Sequence, residues 1–259
     1  MLLANYHTHT TRCNHATGDE REYIENAIRA GLVELGFSDH APMVFHTPGY
    51  YSGFRIRPER FEDYVTTLRA LKEEYAGQIK IRIGLEVEYY PELFQDFLDY
   101  IRPYGIEYLI MGQHFLGNEI GEKPSGMETD DESRLARFVD QVSEGMRTGK
   151  FTYVAHPDMM PFKGDSDVYA KQVSRLIDCS LETETPLEIN FLGIRGKRAY
   201  PNPKFWEQAG KQHALCVFGC DAHSPDVTAD LESLKVAEQM VKQYGLRHVD
   251  FPVLKNPNL

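Results

Sequence analysis

The chain has 259 residues, a formal net charge of −11 at pH 7, and 26% charged residues. A general nucleic-acid-binding protein usually carries a basic surface, so this balance argues against that class and predicts no nucleic-acid partner. Barrels of alternating strands and helices often fill this length as one domain, and we find no linker-like or low-complexity segment. We therefore expect a single domain over residues 1–259.

The N-terminal sequence MLLANYH and the four cysteines bear on location. MLLANYH has no basic region, and no apolar run reaches the ~18 residues of a membrane span. The cysteines, at 13, 179, 216 and 220, form no CxxC pair and are too few for a disulfide framework. We expect free thiols in a cytoplasmic protein without membrane contact. A thiolate ligand stays open for Cys13 and Cys220, which lie near histidines.

Apolar runs alternate with amphipathic stretches along the chain. The runs predict seven strands, at 2–7, 33–39, 80–88, 107–113, 151–156, 186–191 and 215–221. The stretches predict seven helices, at 20–30, 58–76, 91–102, 130–148, 166–183, 203–213 and 228–244. Such alternation indicates parallel strands, and seven pairs favour a closed α/β barrel over the alternative, an open doubly wound sheet. The longest irregular segments, 40–57, 114–129 and 192–202, follow strands and are candidates for substrate contact.

Potential metal ligands follow nearly every predicted strand. The first strand ends in His7 and His9, which share a face because strand side chains alternate. Taken alone, this pair could equally be part of a solvated loop. The later strands end in further polar residues: Asp39, His40, Glu86, Glu88, His114, His156, Asn190, Asp221 and His223. In a (β/α) barrel this end of the strands carries the active site, so the set predicts a metal centre.

Six short motifs in this order carry a family resemblance: HTH, SDH, GLEVEY, GQHF, AHPD and GCDAH. Together they resemble the PHP family (polymerase and histidinol phosphatase), and the chain length resembles its stand-alone histidinol-phosphatase branch. The resemblance implies a distorted seven-stranded (β/α)7 TIM-like barrel with two to three divalent metal ions. It also implies a small phosphorylated substrate, L-histidinol phosphate, hydrolysed to L-histidinol and phosphate.

The resemblance also implies which residues hold each metal. The first metal would be held by His7, His9, Glu86 and Asp221. Glu86 would bridge to a second metal held by His114 and His156, and a third would be held by His15, His40 and His223. Asp39 would orient a ligand histidine or cap a turn, and Asp158 would orient a ligand in a similar way. Glu88 would act similarly or contact the substrate.

Imidazole and carboxylate ligands suit Zn, Mn or Fe. Clustered metals fit attack on phosphorus by a bridging hydroxide, which assigns catalytic roles to Glu86 and Asp221. Asp39 and a metal-bound water are the two candidates for the general acid. Arg195, Lys197 and Arg12 are candidate phosphate ligands, and Glu88 is a candidate contact for the cationic end of the substrate. Three alternatives stay open: hydrolysis of another phosphomonoester or a nucleotide phosphodiester, a non-enzymatic metal-stabilised binding module, and amide hydrolysis.

Overall fold

The computed structural model describes residues 1–259 and contains one parallel sheet of eight strands. The strands are β1 Ala4–Asn5, β2 Glu34–Phe37, β3 Lys80–Val87, β4 Tyr108–Met111, β5 Phe151–Val154, β6 Leu187–Asn190, β7 Leu215–Gly219 and β8 Arg247–His248. Their spatial order is their chain order, whereas a doubly wound sheet reverses at a switch point. The predicted α/β fold with parallel strands is confirmed and consistent with a TIM-like barrel. The predicted count of seven strands was wrong, because β8 consists of two polar residues and so has no apolar run that would indicate a strand.

Eight α-helices connect the strands. They are α1 Glu20–Ala30, α2 Phe61–Glu74, α3 Phe94–Ile101, α4 Glu132–Arg147, α5 Ser166–Glu182, α6 Phe191–Arg195, α7 Pro203–Lys211 and α8 Leu231–Tyr244. Seven match the predicted helices. α6 lies where we expected an irregular segment; it is a single turn, capped by the Asn190 side chain, which accepts from the Gly193 N–H. None of the helices has the length and apolarity that a membrane crossing requires.

Backbone hydrogen bonds join the segments that follow β1 and β7. The His9 N–H donates to the Ala222 carbonyl at 2.9 Å, and the Ala222 N–H donates to the His7 carbonyl at 3.1 Å. Thr8 and Ala222 form a parallel bridge. The first and seventh strands therefore meet at their carboxyl ends, where the predicted ligands lie.

Two hydrophobic clusters lie on opposite faces of the sheet. A cluster of 60 buried residues includes the inward faces of the helices. A smaller cluster of seven contains Ala4, Tyr6, Tyr108, Ile110, Tyr153, Ala155 and Val217. Its members come from β1, β4, β5 and β7 or directly follow them, so it fills the space that the strands enclose. Tyr108 needs room there, since a Cβ on either Gly36 or Gly84 would overlap its ring or hydroxyl.

Tyr108→Phe is expected to lower the free energy of unfolding by about 1–2 kcal/mol. The fully buried Tyr108 hydroxyl lies 2.8 Å from the Tyr6 carbonyl and 3.1 Å from the Phe37 carbonyl, and phenylalanine leaves both without this donor. Urea unfolding measures the change. Tyr51→Phe, at a side chain that is 59% exposed, is the matched control and should change stability by less than about 0.5 kcal/mol. Equal stability of the two variants would contradict this role for the hydroxyl.

Candidate metal centre

The nine predicted metal ligands lie together at the carboxyl end of the sheet. Glu86 is part of β3, and the others follow β1, β2, β4, β5 and β7. Their ligand atoms form overlapping groups in which every pair is within 4.8 Å. These groups are His7–His9–Glu86, His7–His156–Asp221, His40–Glu86–His114 and His15–His40–His223.

The Glu86 carboxylate lies at the middle of the cluster. Its Oε2 is 3.5 Å from His7 Nε2, 3.6 Å from His9 Nε2 and 3.1 Å from His40 Nδ1. Its Oε1 is 3.0 Å from His156 Nε2 and 3.5 Å from His114 Nε2. Each oxygen therefore faces a different set of imidazoles.

Asp221 and His223 complete the cluster on the β7 side. Asp221 Oδ1 lies 3.2 Å from His9 Nε2 and 3.6 Å from His7 Nε2. His223 Nε2 lies 3.0 Å from His15 Nε2, in the group that also contains His40. The structure thus brings His15 to a different group from His7, although His15 follows it by only eight positions.

Unpaired buried atoms test whether these residues fit metal ions. His7 Nε2, His9 Nε2, His40 Nδ1 and Glu86 Oε2 are buried and have no hydrogen-bond partner. Buried polar atoms in proteins are nearly always hydrogen-bonded, so four such atoms facing one another need another kind of partner. Imidazole nitrogen and carboxylate oxygen both coordinate Zn, Mn and Fe. The residues present therefore fit divalent cations.

The pKa shifts of His40, His223 and Glu86 also favour metal binding, because they leave these side chains unprotonated. Burial lowers the pKa of His40 well below its usual value, and burial with repulsion from His9 lowers that of His223 to about 3. Both rings are therefore neutral near pH 7. Burial raises the pKa of Glu86, but attraction from neighbouring imidazoles, His114 first, outweighs it and holds that pKa well below its usual value.

Asp39 lies behind the cluster. Its Oδ1 is 3.3 Å from His9 Nδ1 and accepts the His40 N–H at 2.8 Å, while its Oδ2 accepts the Thr10 hydroxyl. Asp39 is fully buried and contacts the ring nitrogen of His9 that points away from the other ligands. A general acid must reach the leaving group, so this placement corrects the candidate role and leaves Asp39 as a support for His9. Asp158 instead accepts the Asn202 N–H and the Trp206 indole N–H, away from the ligand rings.

Glu88 supports His114 rather than facing the cavity. Its Oε1 is 2.7 Å from His114 Nδ1, and its Oε2 is 2.6 Å from an Arg55 guanidinium nitrogen. Both carboxylate oxygens are thereby engaged, which corrects the expected contact with substrate. Sequence reasoning missed Arg55, which is 2% exposed and also pairs with Glu119 at 2.8 Å. A single arginine inside a long loop carried no signal.

Glu188 and its neighbour Asn190 also support the cluster. Glu188 Oε1 is 2.8 Å from His7 Nδ1, and Asn190 Nδ2 is 3.1 Å from Asp221 Oδ2. Glu188 was not among the predicted residues. Its signal was available in the sequence, because it lies two positions before Asn190 on a strand and so shares the same face.

A cavity of about 590 Å³ opens over the ligands. Its lining includes ligand histidines, Glu86, Asp221 and a wall that contains Phe54, Phe115, Met159, Leu192, Arg198 and Tyr200. The Phe54 and Phe115 rings are stacked with centroids 5.9 Å apart. The cavity therefore offers cation-binding groups at its base and aromatic surface at its side.

The predicted phosphate ligands do not line this cavity. Arg195 donates to the backbone carbonyls of Cys220 and Asp221, both at 2.6 Å. It therefore stabilises the backbone at Asp221. Arg12 pairs with Glu20 and Asp63 on neighbouring helices. Lys197 is exposed. These three expectations are corrected in favour of Arg198, which lines the cavity and donates to the Tyr200 hydroxyl at 2.9 Å.

The four cysteines are free and buried, in agreement with the expected free thiols. Cys13 lies beside His9 and His223, with its sulfur within 4.8 Å of their ligand atoms. Its thiol lies 3.1 Å from the Thr10 carbonyl, as a donor to it. Burial raises the pKa of Cys220 to about 12, which disfavours a thiolate there.

Comparison with family models identifies the family of this chain, because residues 5–191 match the PHP domain. The chain belongs to the PHP family. That match includes seven of the nine clustered residues and ends before Asp221 and His223. The fold nevertheless brings these two residues into the same cluster. The resemblance drawn from the six motifs is thus confirmed.

Three known proteins resemble this chain, two of them along most of its length. A Deinococcus radiodurans protein named "Probable histidinol-phosphatase" is 31% identical over 230 residues, which cover 86% of this chain and 87% of that protein. The Bacillus subtilis histidinol-phosphatase is 38% identical over 123 residues, 45% of each chain. The crystal structure of histidinol phosphate phosphatase from Lactococcus lactis, complexed with Zn, L-histidinol and phosphate, superposes with a TM-score of 0.75 at 18% identity. It covers 99% of this chain and 98% of that one, which shows a shared fold.

Proposed function

We propose that this PHP protein is a metal-dependent phosphomonoesterase that hydrolyses L-histidinol phosphate to L-histidinol and phosphate in the cytoplasm, as a step of histidine biosynthesis. The position of Glu86 carries the proposal, because its two oxygens face separate sets of imidazoles under an aromatic cavity. The names of the relatives supply the substrate. We also propose that the chain is one domain and that its eight-stranded sheet forms a distorted barrel.

The first metal would be held by His7, His9, Glu86 and Asp221. The second would be held by Glu86, His114 and His156, and the third by His15, His40 and His223. When bound, two to three Zn, Mn or Fe ions would activate a water for in-line attack and stabilise charge on the phosphoryl oxygens.

The residues around the cluster would prepare the ligands and the substrate for this reaction. Asp39 and Glu88 hold the outer nitrogens of His9 and His114, which fixes the direction of each ring. Arg198 would contact the phosphate, since a guanidinium matches its geometry. The Phe54 and Phe115 rings provide a flat surface for the imidazole of the substrate.

Phosphate release from purified protein tests the function. With Zn, Mn or Fe supplied in separate reactions, L-histidinol phosphate should show a higher kcat/KM than other small phosphomonoesters and nucleotide phosphodiesters. A clear preference for a phosphodiester would replace the proposed substrate. Metal-loaded protein that hydrolyses no phosphoester would overturn the proposal and favour a binding module.

Arg198→Ala is expected to lower kcat/KM for L-histidinol phosphate by about 10–100-fold. The reason is that a hydrogen bond between charged groups contributes about 1.5–3 kcal/mol, and alanine removes both the charge and the donor. Steady-state phosphate release measures the effect. Lys204→Ala removes a cation from an exposed position in α7, six residues along the chain and outside the cavity lining, and should leave kcat/KM within about twofold. An unaffected Arg198→Ala enzyme would remove this arginine from the phosphate site.

A further inference from the structure

Glu188 contacts more of the ligand set than any sequence motif suggested. It lies in β6 and is fully buried. Its Oε1 is 2.8 Å from His7 Nδ1, and its Oε2 accepts the His156 backbone N–H at 3.0 Å. Oε2 also accepts the Asn190 amide at 2.8 Å. One carboxylate therefore connects segments that follow β1 and β5.

The contact with His7 fixes which ring nitrogen can bind a metal. A carboxylate only accepts hydrogen bonds, so the proton of His7 must be on Nδ1. In the neutral ring, the form that binds a metal, the lone pair then lies on Nε2, the buried nitrogen that has no hydrogen-bond partner. That atom is 3.5 Å from Glu86 Oε2 and 3.6 Å from Asp221 Oδ1.

The contact with His156 acts on the backbone. His156 has φ +32°, a positive value that is uncommon outside glycine and carries a conformational cost. The hydrogen bond from its N–H to Glu188 holds this conformation, in which His156 Nε2 lies 3.0 Å from Glu86 Oε1.

Asn190 extends the same network to Asp221. Its amide nitrogen donates one hydrogen to Glu188 and the other to Asp221 Oδ2 at 3.1 Å. Asp221 also has a positive φ, +47°. His7, His156 and Asp221, which follow three different strands, are thus linked to Glu188. The link is direct for the first two and passes through Asn190 for Asp221.

Gly219 provides the space that Glu188 occupies. A Cβ on Gly219, in the neighbouring strand β7, would overlap Glu188 Oε1. The same arrangement occurs at Glu86, whose Oε1 would overlap a Cβ on Gly112 directly after β4. In each case a buried glutamate crosses a glycine of the next strand and reaches the metal cluster.

We propose that Glu188 is a positioning residue that sets the Nδ1–H tautomer of His7 and the backbone of His156, and thereby the affinity for the first two metals. The group of His15, His40 and His223 has no hydrogen bond to Glu188 and should be unaffected. The inference rests on the proposed metal binding and does not depend on the identity of the substrate.

Titration of Zn²⁺ into metal-free protein, with a competing chelator, tests the inference in Glu188→Gln. Glutamine has only one acceptor oxygen, so it cannot serve His7 and the His156 N–H together. We expect the affinity of two zinc ions to fall by about 10–100-fold and that of the third to stay unchanged. NMR of the zinc-loaded protein should show the Nδ1–H resonance of His7 at low field, and this resonance should move upfield in the variant.

Two further variants separate positioning from a general effect on folding. Gly219→Ala keeps the charge but displaces the carboxylate, so it should weaken the same two zinc ions. Glu107→Gln removes a carboxylate that binds Arg82 and Lys72 at the amino end of β4, away from the cluster, and should retain wild-type affinity. Wild-type zinc affinity in folded Glu188→Gln overturns this inference and leaves the proposed function intact. Metal binding without phosphate release by the wild-type protein would overturn the proposed function and leave this inference intact.

Discussion

Glu86→Gln is expected to lower kcat/KM for L-histidinol phosphate by about 10³-fold or more, because bridged metal ions supply several kcal/mol of transition-state stabilisation. Both oxygens of Glu86 face imidazole nitrogens, at distances from 3.0 to 3.6 Å. The amide of glutamine places an NH₂ donor where one of these oxygens lies. It also removes the negative charge that would be shared by two cations. Steady-state phosphate release and metal content measure both consequences.

Glu107→Gln is the control for this substitution, since it also neutralises a glutamate in a cluster of ion pairs but lies outside the metal centre. It should keep wild-type kcat/KM. Thermal unfolding should show that both variants are folded. A Glu86→Gln enzyme with activity within tenfold of wild type and a full set of metals would contradict the bridging role.

Removal of the metals by a chelator is expected to reduce phosphate release to background, and added Zn²⁺ or Mn²⁺ should restore it. Burial lowers the pKa of His7, but Glu188, Asp221 and Glu86 outweigh burial and raise it to about 10. The pKa of His9 is likewise raised by Asp221 and Asp39 against the effect of burial. In metal-free protein these two rings are therefore protonated near neutral pH. Metal binding must expel their protons, so affinity should fall as the pH falls.

Calorimetric titration of zinc in buffers of different ionisation enthalpy measures this coupling. The account predicts net proton release near neutral pH and weaker binding at lower pH. Binding without proton release would show that His7 and His9 lose no protons when zinc binds. Full activity in protein with no detectable metal would contradict the metal-dependent reaction itself.

The fold and the ligand cluster could be predicted because both follow from regular patterns. Parallel strands converge at their carboxyl ends, so residues as distant as His7 and Asp221 could be assigned to one place without knowing any distance. The alternation of side chains along a strand placed His7 and His9 on the same face. β8 was not predicted because its two residues are polar and form no apolar run, and α6 was not predicted because one helical turn is too short to show a period.

The surrounding residues were harder to predict, because side-chain partners depend on tertiary contacts rather than on periodicity. Arg195 and Arg198 are three positions apart in one segment, yet Arg195 binds backbone carbonyls and Arg198 lines the cavity. Arg12 follows the HTH motif but turns toward carboxylates on two helices. The face of β6 that carries Glu188 could be inferred from Asn190, but its contact with His7, which follows another strand, could not.

Anomalous X-ray diffraction above the zinc edge, from crystals grown with Zn²⁺ and inorganic phosphate, tests the central claim most directly. The account predicts two or three zinc peaks around Glu86, with the first two on either side of its carboxylate and the phosphate facing Arg198. Zinc bound only elsewhere on the protein, with the histidines around Glu86 hydrogen-bonded to water alone, would contradict it.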